Sequence, residues 1–415
     1  MVALQTNLAV LLVLFTPFIW GFIARFEGML VRPTDLIVAA FYILIIARGR
    51  VHAPLALRVF YFLVIALVLS LILSTMVHGA STLWLLKAAA LFPLPLIVHD
   101  TLARNDYQIP STSLLIPVAV FTIAIMPILF FIGETVATGL IGGNMKATLW
   151  HFWHNTFETN IFGSESLEIK GQSARNGFAR GALAALLFAY GFWQRGKFRT
   201  VAMVFFTIAV LAAFSRTGWA TLAVFVILLL VVRRAYWLAM LVGTAVVAMG
   251  ATIRETAIER ITSRVGRLED LPQTLETFNA HILFGDPEAI DPAGHIIMHN
   301  VPLSLGANFG ILPFAFSLAL TFFTLCAAIL LYRLALRVRI EQRPPLIAAT
   351  TAAFGCTVMP HVSAAGTNIY TLGELAMLGL VISGLTIRSR LVARPRVEDP
   401  DAAPLGPHPE IRPAT

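Results

Sequence analysis

Charge is scarce in this chain. Of 415 residues, 13% are charged and 58% are hydrophobic, and mean hydropathy is +0.81. Soluble globular domains carry roughly 25% charged and about 45–50% apolar residues, so the composition excludes an ordinary soluble domain and points to a membrane protein. Cysteine is nearly absent. Cys326 and Cys356 each fall inside an apolar stretch, which excludes a disulfide framework and any zinc-type spacing; they read as small packing residues. Lysine is limited to Lys87, Lys146, Lys170 and Lys197, and arginine supplies the remaining positive charge. There is no Gly-rich phosphate loop, no GxSxG elbow, no DxD-like cluster and no internal repeat at a fixed period. Glu134, Glu158, Glu165 and Glu168 form no convincing acid pair.

What is abundant is long apolar runs. A spanning helix needs about 20 mostly apolar residues. Runs near 6–24, 33–47, 56–75, 82–98, 113–133, 177–194, 199–215, 217–232, 235–252, 301–331, 345–360 and 367–387 give about twelve. The first has no small-residue cleavage site and reads as a retained helix. The run 301–331 exceeds one span, which suggests a tilted or half-buried opening segment. With the N-terminus in the cytoplasm, the cytoplasmic segments hold 18 Lys and Arg against 7 Asp and Glu, and the opposite side 10 against 14. This positive-inside bias accounts for the net charge of +8 without a nucleic-acid partner, and it supports both the even span count and the orientation. The expected fold is all-α and polytopic: a transmembrane domain over 1–387, two outer-side loops at about 133–176 and 253–300, and a Pro- and charge-rich cytoplasmic tail, 388–415, read as disordered.

Several constellations bear chemistry. Ser215-Arg216-Thr217-Gly218 sits at the outer end of a helix pair. There Arg216 either snorkels to headgroups or clamps a phosphate through its bidentate fork. His299-Asn300 ends the second outer loop just before a helix: His299 is placed to act as a general base toward a hydroxyl, or Asn300 is simply an N-cap. Arg260, Arg264 and Arg267 follow near-helical spacing on RETAIERITSRVGRLEDLPQTLETF, as a phosphate-binding face or as a solvated amphipathic surface. Trp150-His151-Phe152-Trp153-His154 lacks a third ligand and reads as an interfacial aromatic belt. Lys87, Arg180 and Glu374 lie inside spans, where charges usually pair; either cation is a possible partner for Glu374.

Four segments, in this order, resemble the O-antigen ligase and O-antigen polymerase superfamily of bacterial envelope glycan assembly. They are ARNGFARGALAALLF, AFSRTGWATLAVFVILLL, GRLEDLPQTLETFNAHILFG and HNVPLSLGANFGILPF, together spanning roughly 172–316. The chain departs from that pattern at Ile282, at Gly285-Asp286-Pro287, at Asn308 and at Pro313. The resemblance implies a GT-C-like membrane glycosyltransferase of the bacterial inner membrane, with both termini cytoplasmic and its active site periplasmic. The donor would be a glycan on undecaprenyl pyrophosphate, and the acceptor a second glycan or a lipid A-core. No cofactor and no metal are implied, because arginines take the cation's place at the pyrophosphate. Arg216 and Arg267 would bind that pyrophosphate and stabilise the departing charge, and His299 would position or deprotonate the acceptor hydroxyl. Arg264, Asn300, Asn176 and Arg180 would serve in substrate binding. The modest outer loops and the basic tail do not separate a polymerase from a ligase; the reading leans to a polymerase, because a ligase must also recognise a bulky anionic core. A transporter of lipid-linked saccharides is the alternative; it would show paired charges near mid-membrane and repeated halves.

Overall fold

A computed structural model of the chain describes residues 2–15, 24–26, 29–31, 33–48, 53–78, 92–114, 172–212, 216–244, 274–286, 300–362 and 372–393. In chain order these form α1 (Val2–Phe15), an antiparallel strand pair β1 (Ala24–Phe26) and β2 (Met29–Val31), α2 (Pro33–Arg48), α3 (Leu55–Val77), α4 (Leu94–Arg104), α5 (Gln172–Phe192), α6 (Lys197–Ala212), α7 (Arg216–Val232), α8 (Val301–Phe309), α9 (Ile311–Arg337), α10 (Arg343–Val362) and α11 (Leu372–Ala393). Residues 236–244 and 274–280 are also helical.

The described residues are mostly helical, with one short strand pair among them. Ala24 pairs with Val31 and Phe26 with Met29, so the first apolar run, expected to be helical through residue 24, ends in a strand. Backbone groups that leave a helix in apolar surroundings must find other partners, and a strand pair supplies them. Two loop boundaries also move. α4 continues through Arg104, into a segment expected to be loop, and α11 continues through Ala393, so the first residues assigned to the tail are helical. Residues 394–415 lie outside the described residues, as do most of the runs 82–98 and 113–133 and most of both outer loops.

Three helices, α3, α9 and α11, are long and apolar enough to cross a membrane. α3 shows how such a helix is built. Its buried side carries Leu57, Phe60, Val64, Leu67 and Leu71 together with Ser70, Ser74 and Thr75. Its outward side, at helical spacing, carries Val59, Phe62, Leu69, Leu73 and Met76, all exposed. Hydroxyls facing inward and a continuous apolar stripe facing outward reverse the usual soluble pattern, and the arrangement is compatible with lipid contact.

The centre of the molecule is made by α5, α10 and α11, which pack against one another. Small residues bring them close. Ala179, Ala182, Ala185 and Ala189 of α5, and Ala348, Ala349, Ala352 and Ala353 of α10, are fully buried. A methyl group on Gly384 of α11 would stand 2.4 Å from Ala349 Cβ, closer than two carbons can approach. The expected long run 301–331 is in fact two helices. Gly310, at φ 89° and ψ −172°, breaks it into α8 and α9.

The helix ends are sorted. At one end the last turn of α3 meets residues 281–286, because Ser74 Oγ donates to Phe284 O at 2.6 Å. The same end holds the start of α8 and the close of α10, joined by Asn300 and His361 at 3.3 Å. At the other end Arg343 of α10 donates to Val232 O at the end of α7. There too, Ile109 after α4 bonds to Phe192 O at the end of α5, and Arg390 of α11 lies 3.5 Å from Asp106.

Candidate functional site

The first of these two ends gathers the candidate residues, and the last two turns of α10 are its spine. Cys356 is buried there and its thiol donates to the Glu374 backbone carbonyl at 3.6 Å. One residue earlier Gly355 faces Thr221 of α7; a methyl on it would come within 3.1 Å of Thr221 Cγ2. Thr357 Oγ1 donates to Thr324 Oγ1 of α9 at 2.9 Å. Five residues beyond Cys356 the imidazole of His361 meets Asn300, about 7–8 Å farther along the axis at 1.5 Å per residue.

Deepest in this group is an ion pair. Arg180 Nη1 of α5 lies 3.0 Å from Glu374 Oε1 of α11, with side chains 2% and 3% exposed. The pair forms where the two backbones touch: a Cβ on Gly373 would stand 2.5 Å from both Arg180 C and Gly181 N. Only glycine at 373 lets α11 cross α5 closely enough for neighbouring positions on the two helices to meet. The sequence left Lys87 and Arg180 as competing partners for Glu374; the structure pairs it with Arg180, and Lys87 lies outside the described residues. Arg180 has more donors than Glu374 uses. Its Nε and Nη2 atoms are buried and find no hydrogen-bond partner among the described residues.

Asn300 caps α8. Its Oδ1 accepts from Leu303 N at 3.0 Å, which fixes the amide so that Nδ2 faces His361 Nδ1. Nδ2 can only donate, so Nδ1 accepts, and the His361 proton sits on Nε2. Burial agrees with a neutral ring. His361 follows the expected span 345–360, and desolvation holds its imidazole below the ordinary value. Asn300 is therefore the cap that the sequence offered, and the same side chain meets His361. His361 was not singled out in the sequence. The signal was there, a histidine directly after Pro360 at the close of an apolar run, but nothing local connects it to a residue 61 positions earlier.

The remaining candidates divide. Asn176 is helical, inside the first turns of α5, where the loop was expected to reach residue 176. Arg216 is the first residue of α7. Both backbones therefore start helices at this end of the molecule. Arg264, Arg267 and His299 lie outside the described residues. Among the described residues no group of three or more His, Cys, Asp or Glu could hold a metal ion.

The outer segment ending in 281–286 is locked onto this end. Asp286 N donates to Ala307 O at 2.8 Å and Ile311 N to Ile282 O at 2.7 Å. Gly310 and Gly285 make this contact possible. A Cβ on Gly310 would stand 2.1 Å from Leu283 O, and one on Gly285 2.3 Å from Asn308 C. The segment that follows the arginine-rich stretch is thereby fixed to the α8–α9 junction, one helix length from Asn300.

Compared with known proteins, the chain matches no family model and no curated protein.

Proposed function

We propose that this chain is a metal-independent membrane glycosyltransferase that moves a glycan from undecaprenyl pyrophosphate to an acceptor hydroxyl. In this reading it spans the bacterial inner membrane about twelve times in a GT-C-like arrangement, with both termini cytoplasmic and the site periplasmic. The observation that carries the reading is the gathering of helix starts. α5 with Asn176 and Arg180, α7 with Arg216, and α8 with Asn300 all begin at one end, beside the 281–286 segment that continues from Arg264 and Arg267. These residues are far apart in sequence, and a headgroup-level site would draw on all of them. A pyrophosphate there would be held by guanidinium groups and helix N-termini, and His299, next to the Asn300 cap, would act on the acceptor hydroxyl.

A transporter of lipid-linked saccharides is the second reading, and the buried Arg180–Glu374 pair is what favours it. The sequence argues the other way: it has no internal repeat at a fixed period, whereas transporters of this kind are built from repeated halves.

The test is the envelope glycan profile of a deletion strain complemented with wild type or with His299→Ala. The transferase reading expects long surface polysaccharide to vanish on deletion, to return with wild type and to stay absent with the variant, while the variant protein remains in the membrane. Single-repeat products would mark a polymerase, and long chains stranded on the carrier lipid a ligase. Full rescue by His299→Ala would remove the role of that residue and put the transporter first.

A further inference from the structure

We propose that the end of the molecule opposite the candidate site holds an anionic phospholipid, its phosphate headgroup taken by the cluster of Arg195, Arg199, Arg233 and Arg343. The cluster assembles where α5 and α7 end and α6 and α10 begin. Arg199 lies over the Tyr190 ring, 5.5 Å from its centre, and its Nη2 donates to Tyr190 O at 2.6 Å, so it closes the last turn of α5. Arg343 closes α7 in the same way, through Nη1 on Val232 O at 3.1 Å, one residue before Arg233. Arg195, Arg199 and Arg233 all act electrostatically on the Tyr190 hydroxyl, which gathers three cations around one side chain. The end of α5 is pressed onto the start of α10: a Cβ on Gly191 would stand 2.7 Å from Ala348 Cβ and 3.3 Å from Pro345 Cα.

Among the described residues no carboxylate pairs with any of the four arginines. Asp100 holds Arg104, Asp106 faces Arg390, and Glu341 is exposed. Helix dipoles explain only part of the arrangement. Arg233 follows the end of α7, where a cation is favoured, but Lys197 and Arg199 are the first and third residues of α6, where a cation meets the positive end of the helix. Like charges gathered without a counter-charge repel, and an anion from outside the chain relieves the repulsion. The bordering surface makes that anion a lipid. Phe198, Val201, Val204 and Ile208 run along α6 away from the cluster as an exposed apolar stripe, and just past Arg233 stand Trp237 and Met240, also exposed. A tryptophan beside arginines marks headgroup level, and basic pockets between spanning helices take lipid phosphates. A free phosphate would leave the apolar stripe unused. The site rests on the membrane placement of these helices and not on the transferase reading.

The full chain, purified in a neutral detergent, is heated with dioleoyl phosphatidylglycerol, with dioleoyl phosphatidylcholine or with inorganic phosphate, and its unfolding temperature is followed. Wild type should be stabilised in a saturable way by phosphatidylglycerol, at lower concentration than by phosphatidylcholine, and not by inorganic phosphate. Arg195 and Arg233 are exposed and make no side-chain hydrogen bond among the described residues, so R195Q/R233Q should melt as wild type does without lipid. It should need about tenfold or more phosphatidylglycerol for the same stabilisation. Arg195→Gln alone, in the turn between α5 and α6, should need about fivefold more. R58Q/R333Q removes two exposed arginines from the same end but outside the cluster, and should respond as wild type does. An equal response of wild type to both lipids, a response to inorganic phosphate matching that to phosphatidylglycerol, an unchanged response in both R195Q/R233Q and Arg195→Gln, or equal losses in the two double variants would each overturn the proposal. The last of these would mark diffuse attraction between a basic face and acidic lipid, with no site. Glycan transfer is not read at any step, so this proposal and the transferase reading fail independently.

Discussion

Gly310→Ala isolates the joint between the outer segment and the helix that carries Asn300. Gly310 lies at φ 89° and ψ −172°, a region open essentially to glycine alone, where another residue costs about 1–3 kcal/mol. The added methyl would also stand 2.1 Å from Leu283 O, 2.5 Å from Leu283 C and 2.7 Å from Phe284 N. All three are backbone atoms, so no rotamer change relieves the overlap and the 281–286 segment must retreat. Retreat breaks the Ile311–Ile282 and Asp286–Ala307 bonds, each worth about 1 kcal/mol net. The sum is about 3–5 kcal/mol, a large share of a total stability of roughly 5–15 kcal/mol. The assay is thermal unfolding of the detergent-solubilised full chain, with Gly196→Ala as control. Gly196 has nothing within 4 Å of an added Cβ, so the control should match wild type while Gly310→Ala melts several degrees lower. Equal melting of all three proteins would refute both the junction geometry and the claim that it holds the outer segment in place.

Two further outcomes follow from the polar contacts. Arg180→Gln alone strands a buried carboxylate and should cost about 3–5 kcal/mol, whereas R180Q/E374Q should cost clearly less, because removing both charges leaves no uncompensated one; a double variant as unstable as the sum of its singles would show the two residues to be uncoupled. At Asn300, substitution by Ala should lose about 1 kcal/mol of cap, and substitution by Asp should keep the cap. Asn300→Asp also changes the pH response. In wild type, burial holds His361 below its ordinary value near 6.5, so the unfolded chain binds the proton more readily, and this contribution to stability is full above that value and is lost as pH falls below it. The carboxylate that Asn300→Asp introduces favours the charged imidazole and should weaken or reverse the acid loss. Identical pH–melting curves for wild type and Asn300→Asp would show that the Asn300–His361 contact does not set the protonation of the ring.

Much of the architecture was legible because it rests on local physics. Apolar runs mark α2, α3 and α7 to within two residues at each end, since each is closed by charge, proline or a turn that a helix in apolar surroundings cannot absorb. Asn300 was legible as a cap because the motif is contained in four consecutive residues. The excess length of 301–331 suggested a tilted or half-buried opening segment; that the segment is a separate helix ended at Gly310 was not read from it. Legibility failed where the deciding partner is distant. A strand at Ala24 depends on Val31; the extension of α4 to Arg104 depends on Asp100, which holds Arg104 at 2.8 Å and accepts from Gln5 of α1 at 2.7 Å.

The sequence by itself determined that this is a mostly helical chain with long apolar segments, and which polar residues stand at the ends of those segments. Hydropathy and helical period are properties of neighbours in the chain, and they suffice for that. Only the tertiary structure decided which polar residues meet. It paired Glu374 with Arg180, brought His361 to Asn300, and seated residues 281–286 on the break at Gly310. Each of these rests on a close approach between helices distant in sequence, set by where a glycine or alanine lets two backbones touch.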